Sequence, residues 1–356
     1  MRTPLVSVVM PVYNREVFLE EAIQSILQQT FRDFEFIIVD DGSTNPIPVK
    51  IIKSFADPRI RLIQLPENRG ISAASNAGIA EARGEFIAMM DSDEYAMPQR
   101  LATQVPYMQA NPQIGICGSS VQWLDAEGKP LWISPATTQS AHCHAQLVLA
   151  MPFFHTTWLV RRKIYDFVNY RTEWDLAPDL DFIVEAANIT IFGGIHVPLM
   201  KRRDHPSRVT HLRRKEQNDQ TLLITKRFID RIGACWNQDR VEEWYCFGRE
   251  VSGSPKRGAD IFVSLTELVR QLLVANMQTR YVDQRALQQV VALRWWSLCR
   301  DAAGQGTAIF RLYRESPARW AGWSRLAHEG RMLSLCLGIG RDISLVRLMK
   351  RHEMDH

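Results

Sequence analysis

No two of the six cysteines, Cys117, Cys143, Cys235, Cys246, Cys299 and Cys336, form a CxxC pair. That absence excludes a zinc ribbon and a dithiol redox motif, and the scattered thiols read as reduced core residues of a cytosolic protein. No uninterrupted apolar run approaches the roughly 18 residues expected of a membrane span. The opening "MRTPLVSVVMPVYN" has a short apolar run broken by Pro11 and no small-residue cleavage site, so it does not read as a signal peptide. A cytoplasmic location is expected. Glycine is missing from "PVYNRE", where a dinucleotide-binding turn would need it, and GxxxxGK[ST] occurs nowhere. The formal net charge of +4 is too small to argue for nucleic acid, and there is no internal repeat or low-complexity tract.

What is present is informative in its order. The chain has 356 residues, 46% hydrophobic and 23% charged, enough to bury a sizeable core as one large domain with an appendage or as two domains. "LVSVVMPVY" is a short β-branched run, and "REVFLEEAIQSILQQT" repeats Phe18, Leu19, Ala22, Ile23, Ile26 and Leu27 at helical spacing. "FEFIIVDDGS" reads as a second strand, "PVKIIKSFA" as a helix and "RIRLIQLPENRG" as a third strand with its turn. "ISAASNAGIAEARG" reads as a small-residue helix capped by Gly84, and "EFIAMMDSDE" as a fourth strand. This alternation predicts βαβ units and a largely parallel sheet. From Met97 the pattern turns to helix, strand and a hairpin with Gly128 in its turn, then to strands with one helix. Past Lys215 only amphipathic helices are expected, with a boundary near Asn218.

In such sheets ligands sit outside the carboxyl ends of the strands. Two of those ends carry acids, "DDGS" (Asp40, Asp41) and "DSDE" (Asp91, Asp93, Glu94), and the first carries the polar "YN". Acids there also serve as turn formers and caps, but two such ends together point to a site. Asp91 and Asp93 lie two apart, so in extended backbone their side chains lean to one face. Two hard oxygen ligands presented together suit Mg²⁺ or Mn²⁺, whose other positions go to waters and substrate phosphate oxygens.

The blocks "SVVMPVYNREVFLEEAIQSILQQTFRDFEFIIVDDGST" and "ENRGISAASNAGIAEARGEFIAMMDSDEYAMPQRL" resemble the family-2 nucleotide-sugar glycosyltransferases of the GT-A fold, strongly over residues 5–105 and more thinly to residue 218. The resemblance implies an α/β GT-A fold, Rossmann-like with a mostly parallel central sheet, over residues 1–217. Residues 1–105 would be its nucleotide-binding half and 106–217 its acceptor half, with a helical region over 218–356. It implies that Pro11, Val12, Tyr13 and Asn14 line the donor nucleotide, and that Asp41 accepts a hydrogen bond from a uracil N–H. Asp40 would orient the turn. Arg69 and Asn76 would face the nucleotide, Asp91 and Ser92 would lie by the ribose and metal, and Asp93 would be the metal ligand. Some positions depart from the family's pattern: Ser75 replaces a common Arg, Glu94 the usual Asp, and Pro178 a Glu.

Glycosyl transfer also needs a general base for the acceptor hydroxyl. In "WDLAPDLDFIVEAA" the resemblance assigns it to Asp179, with Asp181 and Asp175 in reserve; an acid in a helix's first turn can instead merely cap it. "KRRDHPSRVT" resembles the family's YRxHxxSxS segment through Arg203, His205, Ser207 and Thr210, with Arg202 at the usual Tyr. Arg203 would neutralise phosphate charge and His205 would approach the metal or diphosphate. His155 would lie on the acceptor side, and Trp158 would stack on a sugar or belong to the core. The implied activity is Mn²⁺- or Mg²⁺-dependent, inverting transfer of a sugar from a nucleoside-diphosphate sugar, UDP by resemblance, to a glycan or lipid-linked saccharide hydroxyl.

Two other readings stay open. A GT-A-like nucleotidyltransferase also uses acids and a metal, but favours a basic, glycine-containing loop after the first strand. The departures Ser75, Glu94 and Pro178 also suit a catalytically impaired nucleotide-sugar or carbohydrate-binding protein. Trp295, Trp296, Trp320 and Trp323 beside Arg294, Arg300, Arg319 and Arg325 fit peripheral attachment to anionic lipid, or packing within the protein or against a second copy in a homo-oligomer. The basic run from Lys201 to Lys215 reads as a solvated face or as a surface for anionic ligands.

Overall fold

The computed structural model describes residues 3–204, 213–249, 259–319 and 325–337. The chain divides into two compact units, residues 1–228 and 229–356.

In the first unit the elements follow the alternation of the sequence: β1 (Val6–Val12), α1 (Leu19–Leu27), β2 (Phe34–Asp40), α2 (Ile47–Ser54), β3 (Ile60–Gln64), α3 (Ile71–Ala80) and β4 (Phe86–Met89). β1 pairs in parallel with β2 and β4, and β2 with β3, giving the order β3-β2-β1-β4. Strands buried on both faces need apolar residues at every position, and β1 and β2 are buried almost throughout for that reason. The chain reverses its winding direction between β1 and β4, and the crevice outside the carboxyl ends of those two strands is a topological switch point.

The sheet then becomes mixed. After β5 (Tyr95–Ala96) and α4 (Arg100–Ala110) come β6 (Ile114–Leu124), β7 (Pro130–Ser134), α5 (Ser140–Gln146), β8 (Leu159–Arg161), α6 (Pro178–Ala186) and β9 (Ile191–Arg203). β8 joins β4 and β6 antiparallel, β9 joins β6 in parallel, and β5 closes the edge antiparallel to β9. β6 and β7 form the expected hairpin, with Gly128 in its turn.

Two local expectations are corrected. The small-residue helix α3 ends at Ala80, and Gly84 is not its cap. Gly84 instead lies where a Cβ would come within 2.6 Å of the Ser7 amide nitrogen, and its own N–H bonds the Ser7 hydroxyl at 2.8 Å. The fourth strand ends at Met89, so Asp91 to Glu94 occupy a turn rather than extended backbone.

Helix α7 (Arg214–Ile232) contains the division between the units. The second unit, described by itself, is helical: α8 (Gln238–Gly248), α9 (Ala259–Thr279), α10 (Gln284–Ala302), α11 (Thr307–Glu315) and α12 (Arg325–Cys336). Asn237 and Asp283 accept N–H groups of the first turns of α8 and α10, which satisfies donors that a helix start leaves open. Phe247, Phe262 and Trp295 pack together in its core, the Phe247 and Phe262 ring centroids lying 6.2 and 5.9 Å from that of Trp295. Trp295 is therefore a core residue, and Trp296, partly buried, meets Tyr313 and His328 edge-on. Trp320 and Trp323 lie outside the described residues. None of the described helices is long and apolar enough to cross a membrane. None of the six cysteines is in a disulfide; Cys117, Cys143, Cys299 and Cys336 are buried as expected, but Cys235 and Cys246 are exposed.

Candidate active site

Three strand ends meet at the crevice. At the end of β2, the Asp41 amide donates to the Val12 carbonyl at 2.8 Å, which ties that end to β1. The Asp41 carboxylate accepts the N–H groups of Arg69 and Gly70, each at 2.9 Å. Burial raises its pKa above the usual aspartate value; the two amide donors oppose that shift, and Asp175 and Asp40 add to it. Gly70 has φ +89°, and a Cβ there would strike the Asp175 carboxylate at 2.4 Å, so the close approach needs glycine. Asp175 itself accepts the Ser72 N–H at 2.9 Å, which ties it to the start of α3.

Pro11 is partly covered, Val12 is buried and Tyr13 is 45% exposed beyond the end of β1. Asn14 follows with φ 46°. Its amide N–H bonds Ser43, and its side-chain oxygen accepts the Asn45 N–H at 3.2 Å. It clamps the loop after β1 to the loop after β2. Asp40 accepts the Ser43 N–H at 3.2 Å, the turn-forming role expected of it. Arg69 is exposed at the same rim. Asn76 does not face this space with a free amide, because it bonds both the carbonyl (2.7 Å) and the N–H (3.1 Å) of Tyr170.

The end of β4 is locked from beneath. Arg100 is fully buried and donates to the carbonyls of Met89 and Trp158 at 2.9 and 3.2 Å. Burial pushes its pKa down to about 10, against the pull of Cys117, Glu94 and Asp91. Above it the turn brings oxygens of Asp91, Asp93 and Glu94 within 4.8 Å of one another. Ser92 sits partly buried in the same turn.

Each of these acids has a distinct neighbour. Arg15 pairs with Asp93 at 3.2 Å. His155 Nδ1 lies 3.9 Å from Asp91, and its Nε2 shares a 2.7 Å hydrogen bond with the Tyr170 hydroxyl. Glu94 is buried and pairs with Arg202 at 2.5 Å. The Arg202 guanidinium lies over Phe154 and Trp123, 4.6 and 5.3 Å from their ring centroids. Burial opposes its charge, but Glu94, Asp91 and Asp93 outweigh burial and raise its pKa above the ordinary arginine value. Arg203, expected at a phosphate, has Glu21 at 3.0 Å and lies over Phe18 at 4.3 Å. Of these two neighbours, Arg202 is the one that reaches the acids. His205 lies outside the described residues.

Asp179 stands in the first turn of α6, its carboxylate accepting the Leu180 N–H at 2.9 Å. Asp181 is fully buried between Arg171 and Arg227 and has no freedom to serve as base. Tyr170 connects the two sides of the crevice. Burial lifts its pKa well above that of an ordinary tyrosine, and Tyr165, Asp179 and Asp91 lift it further. Trp158 is fully buried against His155 and Phe182, a core residue.

A family model described as "Glycosyl transferase family 2" matches residues 7–168. An uncharacterised glycosyltransferase of Methanocaldococcus jannaschii is 36% identical over 219 residues, spanning 60% of this chain and 75% of that protein. The chain belongs to glycosyl transferase family 2.

An uncharacterised glycosyltransferase of Haemophilus influenzae is 33% identical over 197 residues, spanning 54% of this chain and 77% of the relative. The fold of this glycosyltransferase is GT-A. S. aureus TarS 1-349, crystallised in complex with UDP-GlcNAc, matches over 95% of this chain and 93% of its own, with a TM-score of 0.53 and 18% identity. Sequence reasoning missed Arg15, Arg100 and Tyr170. Arg100 stands in the quoted "MPQRL", but nothing in its spelling distinguishes a buried anchor from a solvated helix residue.

Proposed function

We propose that this glycosyltransferase moves a sugar from a uridine-diphosphate donor to a hydroxyl of a glycan or lipid-linked saccharide, with inversion at the anomeric carbon. The observation that carries the reading is the acidic turn at the end of β4, three carboxylates within 4.8 Å beside the switch point. The donor set fits Mn²⁺ or Mg²⁺, because its oxygens are hard and Asp91 and Asp93 are only partly buried. Asp91 and Asp93 would hold the ion, while Glu94 is committed to Arg202. When bound, such an ion neutralises negative charge as the nucleoside diphosphate departs.

The chain's own residues supply the rest. Asp41, fixed by the Arg69 and Gly70 amides, retains lone pairs to accept a base N–H. Pro11, Val12 and Tyr13 form the adjoining wall, and Arg69 is the exposed cation on the donor side. Asp179 takes the proton of the acceptor hydroxyl as its oxygen bonds to the anomeric carbon. The electron pair of the breaking carbon–oxygen bond leaves with the diphosphate, and attack from the opposite face inverts the centre.

The test is a thermal-shift panel of UDP, GDP and their sugars with and without Mn²⁺, since a ligand that binds only the folded chain raises its melting temperature. UDP should stabilise the protein only with metal, and Asp93→Ala should abolish the effect. Equal stabilisation of the variant and the parent chain would remove the acidic turn from the donor site.

A further inference from the structure

The helical unit contains a cavity of about 750 Å³. Four arginines line it: Arg270 of α9, Arg311 and Arg314 of α11, and Arg319 beyond α11, together with Thr307 and Phe310. Thr307, Arg311 and Arg314 stand at i, i+4 and i+7, so one face of α11 presents them together. Glu315 is the single acid in the lining.

The local acids leave much of this charge unmet. Arg270 pairs with Glu267, and Arg314 lies 3.8 Å from Glu329 and over the Phe310 ring at 5.7 Å. Arg319 donates to the Arg314 carbonyl at 3.2 Å, which orients the guanidinium without neutralising it. Among the described residues, no acid lies within ion-pair distance of Arg311 or Arg319. Like charges sharing a concavity repel one another, and they focus a field that attracts a counter-anion. Guanidinium forks match phosphate oxygens two at a time, and several forks around one cavity suit a multiply charged phosphate better than a lone carboxylate.

We propose that this cavity binds the phosphate or pyrophosphate group of an anionic ligand, at a site separate from the acidic turn. The acidic turn attracts a cation, whereas the arginine cavity attracts an anion. The phosphate group can belong to a soluble compound or to a phospholipid headgroup.

The experiment titrates the full chain with inorganic pyrophosphate in the absence of divalent ions, by calorimetry at fixed salt. Saturable binding is expected, weakened roughly tenfold or more by Arg311→Gln and by Arg319→Gln, the scale of a lost charge-assisted hydrogen bond. Arg285→Gln, which removes an exposed charge on α10, should leave it unchanged. Arg311→Lys should not preserve full affinity, because lysine lacks the fork. These side chains are exposed, and circular dichroism would verify that the variants fold. A second arm sediments the protein with phosphatidic acid or phosphatidylcholine vesicles. Capture by phosphatidic acid alone, lost in Arg311→Gln, assigns the phosphate to a lipid headgroup. Pyrophosphate binding without capture assigns it to a soluble ligand. The proposal is overturned if neither probe binds, if both cavity variants bind like the parent, or if Arg285→Gln weakens binding as much as they do.

Discussion

Arg202 lies 2.5 Å from Glu94, and each occupies a position where the chain departs from the family's usual Tyr and Asp. The two departures are one unit. A longer acid is met by a buried guanidinium, which Phe154 and Trp123 flank. Removing one partner strands a charge, whereas removing both does not. Arg202→Met is expected to cost about 3–5 kcal/mol of stability, while adding Glu94→Gln recovers most of it. Urea unfolding of the two single variants and the double variant measures the coupling. A double variant as unstable as Arg202→Met would mean that the pair is not the source of the cost.

Asp179→Asn keeps the shape of the α6 start and removes the proton acceptor. Turnover is expected to fall about 10²–10⁴-fold, the usual worth of general-base catalysis. Stabilisation by UDP with Mn²⁺ should persist. Unchanged turnover would assign the base elsewhere.

Tyr170→Phe deletes the hydroxyl that bonds His155 and leaves the ring packed on Phe182 at 4.9 Å. His155 then loses the contact that orients it beside Asp91. Turnover should drop by roughly tenfold at most, the scale of one hydrogen bond. A full kinetic split should place the loss in kcat, with the KM for donor little changed.

Glu35 supplies a pH dependence at the amino-terminal end of the sheet. Burial alone would raise its pKa, but hydrogen bonds from Arg83, Ser7 and Arg61 outweigh burial and hold it below the usual carboxylate range. The stability it contributes is fully present above the unfolded-state value of about 4.3, and it is lost as pH falls through the lower folded-state value. Melting temperatures from neutral pH downward should therefore decline less steeply in acid for Glu35→Gln than for the parent chain. Parallel curves would show that the group carries no linkage.

The local order of strands and helices up to β4 was legible in the sequence because period and composition are local properties. Apolar runs must be buried, and acids clustered at their ends have few structural reasons to be there. The same logic exposed Asp41, Asp91 and Asp93 as candidates, whereas Asp179 came from the family resemblance. It misjudged why Asp91 and Asp93 meet, since the strand ends at Met89 and a turn gathers them. The resemblance assigned Asn76 to the nucleotide, although its amide bonds the Tyr170 backbone.

By itself the sequence determined the parallel βαβ start, the acidic strand ends and the helical character past Lys215, because each rests on neighbours along the chain. Only the tertiary structure decided which charges are opposed. Whether Arg202 or Arg203 reaches the acids, or whether Asp181 is open or sealed between Arg171 and Arg227, depends on contacts across many tens of residues. Coulomb energies follow distance and burial in space, and spacing along the chain specifies neither.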